Sequence, residues 1–111
     1  MPQHNILGEW QLRQTNNFTV TVTVPFINTD GSFPVTGKHS NGTVQGSGFG
    51  RLGGLTAGGD EIHFRIGWAN GTEGAYQGVF DPTGFINGST FDVQHPDVTA
   101  GWRSLRSFAV S

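Results

Sequence analysis

The segment Phe18-Thr19-Val20-Thr21-Val22-Thr23-Val24 alternates apolar and polar residues with a period of two. Because successive side chains of a β-strand point to opposite faces of a sheet, this spacing places all the apolar side chains on one face. The segment therefore predicts a strand that is buried on one side. The same alternation recurs at Ile62, Phe64, Ile66 and Trp68, and again from Trp102 to Phe108.

Turn signals separate these alternating segments along the chain. Asn-Gly and Asp-Gly pairs, a glycine-rich stretch from Gly53 to Gly59 and the Asp81-Pro82-Thr83-Gly84 sequence are typical of tight turns. The intervals between them predict strands at 8–14, 18–24, 33–39, 43–51, 61–69, 74–80, 84–93 and 100–109. His95-Pro96 predicts a loop at 94–99, because proline donates no backbone hydrogen bond.

Short connections between consecutive strands favour an antiparallel up-and-down meander. Closing such a meander removes the exposed edges that promote aggregation, and eight strands make a barrel wide enough for side chains or one small ligand. No window has a 3.6-residue apolar period. The sequence thus predicts an all-β protein, an eight-stranded antiparallel up-and-down β-barrel.

The composition is that of one folded core. The chain has 111 residues, of which 34% are hydrophobic and 12% aromatic, and single domains typically contain about 100–200 residues, so we expect one domain spanning 1–111. The 18 glycines have no three-residue period and are interpreted as turn and bulge residues. The absence of cysteine excludes disulfides, thiolate zinc sites and cysteine nucleophiles.

The charge pattern argues against nucleic acid and membranes as partners. The formal net charge is -2 and the 6 basic residues are scattered, whereas nucleic-acid binding neutralises several phosphates together. No apolar run reaches the roughly 18 residues of a membrane span. The start Met1-Pro2-Gln3-His4-Asn5 lacks the basic and apolar regions of a signal peptide, so we expect a soluble chain, cytoplasmic or a mature secreted form.

No catalytic or metal-binding constellation is evident. His39, His63 and His95 fall in different predicted strands or loops, without a second histidine at metal-ligand spacing. Asp81 opens a turn, where its side chain is expected to bond the backbone. The sequence therefore predicts a non-enzymatic protein without a metal or cofactor.

Aromatic residues carry more information about function. Trp10, Trp68, Tyr76 and Trp102 each fall inside a predicted strand. Large amphipathic rings line small-molecule pockets, but one such ring per strand also fills the core of a small barrel. Both interpretations stay open for each ring.

Four motifs resemble the avidin and streptavidin family of biotin-binding β-barrels, in the family's order and over most of the chain. They are Gly8-Glu9-Trp10, similar to the first-strand Gly-x-Trp; Phe64-Arg65-Ile66-Gly67-Trp68-Ala69-Asn70, similar to a central strand ending in tryptophan and asparagine; Tyr76-Gln77-Gly78-Val79-Phe80, similar to an aromatic-x-Gly-x-aromatic strand; and Ala100-Gly101-Trp102-Arg103-Ser104, similar to the final Ala-x-Trp-Lys-Ser. The resemblance implies a ligand at the open end of the barrel. It also implies a homodimer or homotetramer in which Trp102 reaches the pocket of a neighbouring subunit.

The family's biotin site carries over only in part. Asn16 stands near the serine that bonds the ureido oxygen, and His39, with Asn41 nearby, falls at the position of a tyrosine. Leu12 occupies the position of an asparagine, and the family's last aspartate has no counterpart. Since each buried polar group left unpaired costs about 1–3 kcal/mol, the resemblance implies weak or absent biotin affinity within a shared fold.

The leading hypothesis is a barrel that holds biotin or another small molecule between Trp68, Tyr76 and Trp102. Its polar partners would be Asn16, His39, Asn41 and Thr72. The alternative is a carbohydrate-binding lectin, with sugar rings on a rim built from Trp68-Ala69-Asn70 and His95-Pro96-Asp97. A small hydrolase or isomerase and a structural protein are further alternatives.

Overall fold

The computed structural model describes residues 5–15, 18–39, 45–53, 61–69 and 71–108. These residues form eight strands, which are β1 (Gly8–Gln14), β2 (Thr19–Val24), β3 (Ser32–His39), β4 (Gln45–Leu52), β5 (Glu61–Trp68), β6 (Glu73–Phe80), β7 (Ile86–Asp92) and β8 (His95–Ser104). No helix in this part of the chain has the length and apolar character needed to cross a membrane.

The strands close into one antiparallel barrel. Each strand pairs with the next along the chain, and β8 pairs back with β1, so the predicted eight-stranded up-and-down barrel is confirmed. The closing seam is short, because it pairs Leu12 with Ser104, Arg13 with Arg103 and Gln14 with Trp102.

The last strand differs from the predicted 100–109 at both ends. β8 begins at His95, and a turn at 93–94 joins it directly to β7, so the predicted loop at 94–99 is wrong. Phe91 pairs with Thr99 while Asp92 pairs with His95, so residues 96–98 bulge out of the ladder. This bulge tolerates Pro96, which has no N–H to give to a neighbouring strand. The strand ends early because the Ser104 hydroxyl donates to the carbonyl of Arg106 at 2.8 Å and the chain bends.

Inward-facing side chains alternate along every strand and form one apolar core. Its buried members include Leu12, Val22, Val35, Ile62, Phe64, Ile66, Ile86 and Trp102. Two neighbouring apolar residues at the start of β7 face opposite sides of the wall. Ile86 is buried, and Phe85, just before the strand, lies under the guanidinium of Arg103, whose carbon is 5.0 Å from the ring centroid.

Inward glycines make room for two of the three indole rings of the chain. A Cβ at Gly78 would lie 3.0 Å from Cζ2 of Trp102, and one at Gly46 would lie 3.0 Å from Cε3 of Trp68. Glycine in a strand interior often marks a close approach of this kind. The narrow barrel therefore accommodates indole rings by removing side chains opposite them.

One end of the barrel is sealed by aromatic rings. The ring of Phe108 packs edge-on against Trp10 at 5.1 Å and against Phe80 at 6.2 Å, centroid to centroid. The indole N–H of Trp10 donates to the carbonyl of Ile6 at 3.1 Å. The segment after β8 thus folds back to plug this end, and access to the interior is left at the opposite end.

Candidate ligand-binding site

A cavity of about 180 Å³ lies at the open end of the barrel, where β1, β3 and β5 end and β2, β6 and β8 begin. Aromatic rings, hydroxyls, an amide and carboxylates share its wall. The lining residues that carry the argument are Gln14, Phe18, His39, Trp68, Thr72, Glu73, Tyr76, Thr90 and Asp92.

Three rings in contact form one wall of this cavity. The imidazole of His39 lies 4.3 Å from the indole of Trp68, centroid to centroid, at an interplanar angle of 41°. Phe18 contacts the imidazole edge-on at 5.4 Å, centroid to centroid. A Cβ at Gly37 would lie 3.0 Å from Cη2 of Trp68, so this glycine lets the indole lie against the barrel wall.

His39 brings a free polar atom to that wall. Its Nδ1 is buried and has no hydrogen-bond partner among the described residues. Burial lowers the pKa of His39 below its ordinary value, because desolvation disfavours the charged imidazolium. A neutral imidazole with an unused nitrogen is equipped to exchange a hydrogen bond with an incoming ligand.

Tyr76 and Gln14 form the polar floor. The Tyr76 hydroxyl donates to Oε1 of Gln14 at 3.2 Å, and the hydroxyl of Thr90 donates to the carbonyl of Ala75 at 2.8 Å. Burial raises the pKa of Tyr76 to about 12, while a hydrogen bond with Thr90 acts in the opposite direction. The Tyr76 ring stacks on Phe64 at 4.9 Å and 6°, which fixes the floor to the apolar core below.

The structure brings four of the predicted site residues to this cavity. His39, Trp68, Thr72 and Tyr76 all line it. Asn16 and Asn41 lie outside the described residues, and so does Asn70 of the alternative lectin rim. The other part of that rim, residues 95–97, is exposed on the bulge of β8.

Trp102 lies deeper than the site hypothesis places it. Its indole packs 6.0 Å from Phe64 and 6.2 Å from Tyr76, and its N–H donates to the carbonyl of Ser89 at 2.9 Å. The side chain is 3% exposed within its own barrel. The inward pleat of β8 at 102 directs the ring to the core of its own barrel, and the expected contact with a neighbouring subunit stays a prediction.

Two lining residues, Gln14 and Thr90, were absent from the sequence hypothesis. Gln14 continues the inward series of Trp10 and Leu12, and Thr90 continues that of Ile86 and Gly88. In both strands, a polar residue at the end of a series of inward-facing positions is the sequence feature that could have indicated a residue lining the open end. Leu12, at the position where the resemblance expects an asparagine, is fully buried and apolar.

The described part of the chain holds no group of three or more metal-ligating side chains. No protein-family model matches the chain, and no curated protein matches it.

Two solved structures are similar in fold. One is a redesigned β-barrel, mFAP1, bound to DFHBI, with a TM-score of 0.58 and 14% sequence identity over 89% of this chain and 91% of that chain. The other, EF1p2_mFAP2b bound to DFHBI, has a TM-score of 0.56 and 14% identity over 89% of this chain and 90% of that one. At this identity the likeness is one of fold, and it does not establish the avidin family.

Proposed function

We propose that this protein is a non-enzymatic binding protein that holds one small molecule at the open end of its barrel. The observation that carries the proposal is the pairing of a ring wall with an unused polar atom, Nδ1 of His39 beside the indole of Trp68. Binding pockets combine apolar and aromatic surface with a few placed polar groups in this way.

The size and charge of the cavity narrow the class of ligand. Its volume of about 180 Å³ is below the roughly 300–1,000 Å³ of drug-sized pockets, which favours a compact ring system. Asp92 at the rim disfavours an anionic group in the cavity, Glu73 is already paired with Arg65 at 3.3 Å, and the aromatic wall disfavours burial of an unpaired charge of either sign. A neutral, flat head with hydrogen-bonding edges fits both conditions, and any charged tail would extend into solvent.

The hydrogen bonds at the floor support binding rather than catalysis. They join the Tyr76 hydroxyl to Gln14 and the Thr90 hydroxyl to a backbone carbonyl. Such bonds fix side chains in place and do not activate a nucleophile, and a phenol with a pKa of about 12 is a poor general acid near neutral pH. The two similar barrels are each bound to DFHBI, which supports a ligand inside a barrel of this fold.

Biotin is the specific ligand that the avidin resemblance suggests, and a thermal midpoint with and without saturating biotin tests it. A ligand that binds only the folded state adds about 2.7 kcal/mol of stability at one hundred times its Kd. A shift in the wild type that disappears in Trp68→Ala and persists in Phe49→Ala, a ring on the outer wall, would identify biotin as a ligand of the open end. An unshifted wild type would discard biotin as the ligand.

The lectin alternative has less support. Sugar-stacking rings need an open face, but Trp68 is 8% exposed and its indole lies against His39. We expect no signal on a glycan array, and specific binding to one glycan class would replace the first proposal.

Assembly into a homodimer or homotetramer remains a proposal. Phe49 on the outer wall of β4 is 77% exposed, and aromatic residues are enriched in protein–protein interfaces relative to the rest of the surface. Light scattering at several protein concentrations measures the subunit number, and a monomer throughout would discard this part of the resemblance.

A further inference from the structure

Two arginines face each other across the seam that closes the barrel. Arg13 of β1 and Arg103 of β8 are directly paired in register, and both side chains are exposed on the outer wall. The Cβ atoms of such antiparallel pairs lie about 5 Å apart, and like charges in this position repel. Neither guanidinium lies within 4.0 Å of a carboxylate oxygen of the described residues.

A groove of about 540 Å³ runs over this pair. Gly101 has no side chain beside Arg103, and its backbone N–H donates to the Thr15 hydroxyl at 3.1 Å. Asn87 lies at the margin of the groove, where its Nδ2 donates to Oδ2 of Asp81 at 3.1 Å. Leu105, one residue beyond the end of β8 and 51% exposed, adds an apolar surface to the groove. The groove therefore combines paired positive charge with apolar surface, on the outside of the barrel and apart from the open-end cavity.

We infer that this groove is a second binding site, for a small organic anion whose oxyanion lies between Arg13 and Arg103 and whose apolar part lies on Leu105. The planar guanidinium presents several N–H donors to carboxylate, sulfonate or phosphate oxygens. The ring of Phe85 under Arg103, 5.0 Å from the guanidinium carbon, holds that side chain close to the wall. An anion bound there relieves the repulsion between the two arginines.

The groove and the open-end cavity are expected to prefer ligands of different charge. The cavity of the proposed function has Glu73 and Asp92 at its rim, whereas the groove is lined by Arg13 and Arg103 and by no acidic residue of the described chain. The two sites are therefore expected to take different ligands, and either one can fail without the other.

Titration of labelled protein with 2-naphthoate, its uncharged amide 2-naphthamide and inorganic phosphate, followed by amide NMR, tests the inference. We expect 2-naphthoate to shift the backbone N–H resonances of Thr15, Gly101 and Arg103. We expect 2-naphthamide to bind at least about tenfold more weakly, because it loses one charge-assisted contact. Phosphate is expected to compete at the same resonances. Equal binding of acid and amide, or shifts confined to Thr72 and Gly74 at the open end, would overturn it.

Variants supply the matched comparison. Arg13→Gln removes one charge from an exposed position and is expected to weaken 2-naphthoate about tenfold, as is Arg103→Gln. Arg103→Lys keeps the charge and the packing stem, and is expected to lose less. Arg51→Gln, on the outer wall of β4, is expected to leave the affinity unchanged. An equal loss in Arg51→Gln would show general charge attraction and would refute the site.

Discussion

The imidazole of His39 and the indole of Trp68 lie 4.3 Å apart, centroid to centroid, at the mouth of the barrel. They come from β3 and β5, which are separated by β4, and a Cβ at Gly46 of β4 would lie 3.0 Å from Cε3 of Trp68. Glycine at this position therefore leaves room for the indole to extend towards β3. The contact is therefore a consequence of glycine placement as much as of the rings themselves.

The pH dependence of stability tests the environment of His39. Because burial lowers its pKa in the folded state, the unfolded chain binds the proton first as the pH falls, near the ordinary value of 6.5. The contribution of His39 to the free energy of unfolding therefore has its full size above pH 6.5, and it declines as the pH falls towards the pKa of His39 in the folded state. Urea unfolding between about pH 8 and pH 5 is expected to show this loss, with a smaller loss in His39→Asn. The exposed His95→Asn serves as control, and an unchanged slope in His39→Asn would contradict the burial.

The single tyrosine of the chain allows a direct spectroscopic test. Burial raises the pKa of Tyr76 from 10.0 to about 12, so the native phenol should resist ionisation where an exposed phenol titrates. Unfolded chains ionise first, so stability is lost as the pH rises above the ordinary value towards 12. Tyrosinate absorbance in native protein is expected to rise near 12, and Tyr76→Phe is expected to show no such rise. A native midpoint near 10 would place the phenol in water.

The inward glycines predict a contrast between two alanine substitutions. A Cβ at Gly78 would lie 2.6 Å from Cγ2 of Ile86 and 3.0 Å from Trp102, whereas one at Gly67 would meet only the Ser47 carbonyl, at 3.6 Å. Overpacking a well-filled core costs about 1–3 kcal/mol. Urea unfolding is expected to show a loss of this size for Gly78→Ala and little change for Gly67→Ala. Equal effects would mean that Trp102 does not need the space.

The aromatic plug predicts a second contrast. Phe108 packs on Trp10 and Phe80 at the sealed end, while Phe49 is 77% exposed on the outer wall. Truncation of a buried phenylalanine costs about 3–5 kcal/mol, and truncation of an exposed one costs much less. Phe108→Ala is expected to fall in this range by chemical denaturation, with Phe49→Ala near the wild type. A small effect of Phe108→Ala would show that the end is open.

Sequence periodicity predicted most of the barrel, for a physical reason. Strands buried on one face must alternate, so segments such as 18–24 and 61–69 were placed within a residue or two of β2 and β5. The start of β8 was missed because a bulge absorbs Pro96, and bulges depend on pairing between distant residues. The pairing of Arg13 with Arg103 was hidden for the same reason, since 90 positions separate them in the chain and barrel closure alone joins them.

The candidate site was only partly visible in the sequence. Trp68 and Tyr76 were found because rings inside strands stand out, but the same signal also selected Trp102, which packs in the core. The difference lies in depth along the barrel, which a period of two does not encode. Gln14 was overlooked because one polar residue in an apolar series resembles the end of a strand, and its role depends on Tyr76 arriving from β6.

The most direct test of the central claim is the indole N–H resonance of Trp68 during titration with a panel of neutral, compact heterocycles and, separately, with biotin. The chain has 3 tryptophans, so three resonances report on the open end, the core and the sealed end separately. We expect at least one compound to shift the Trp68 resonance saturably, together with the amides of Thr72 and Gly74, and to leave Trp10 unmoved. If every compound leaves the Trp68 resonance unchanged, or moves all three tryptophans alike, the open end is not a ligand site.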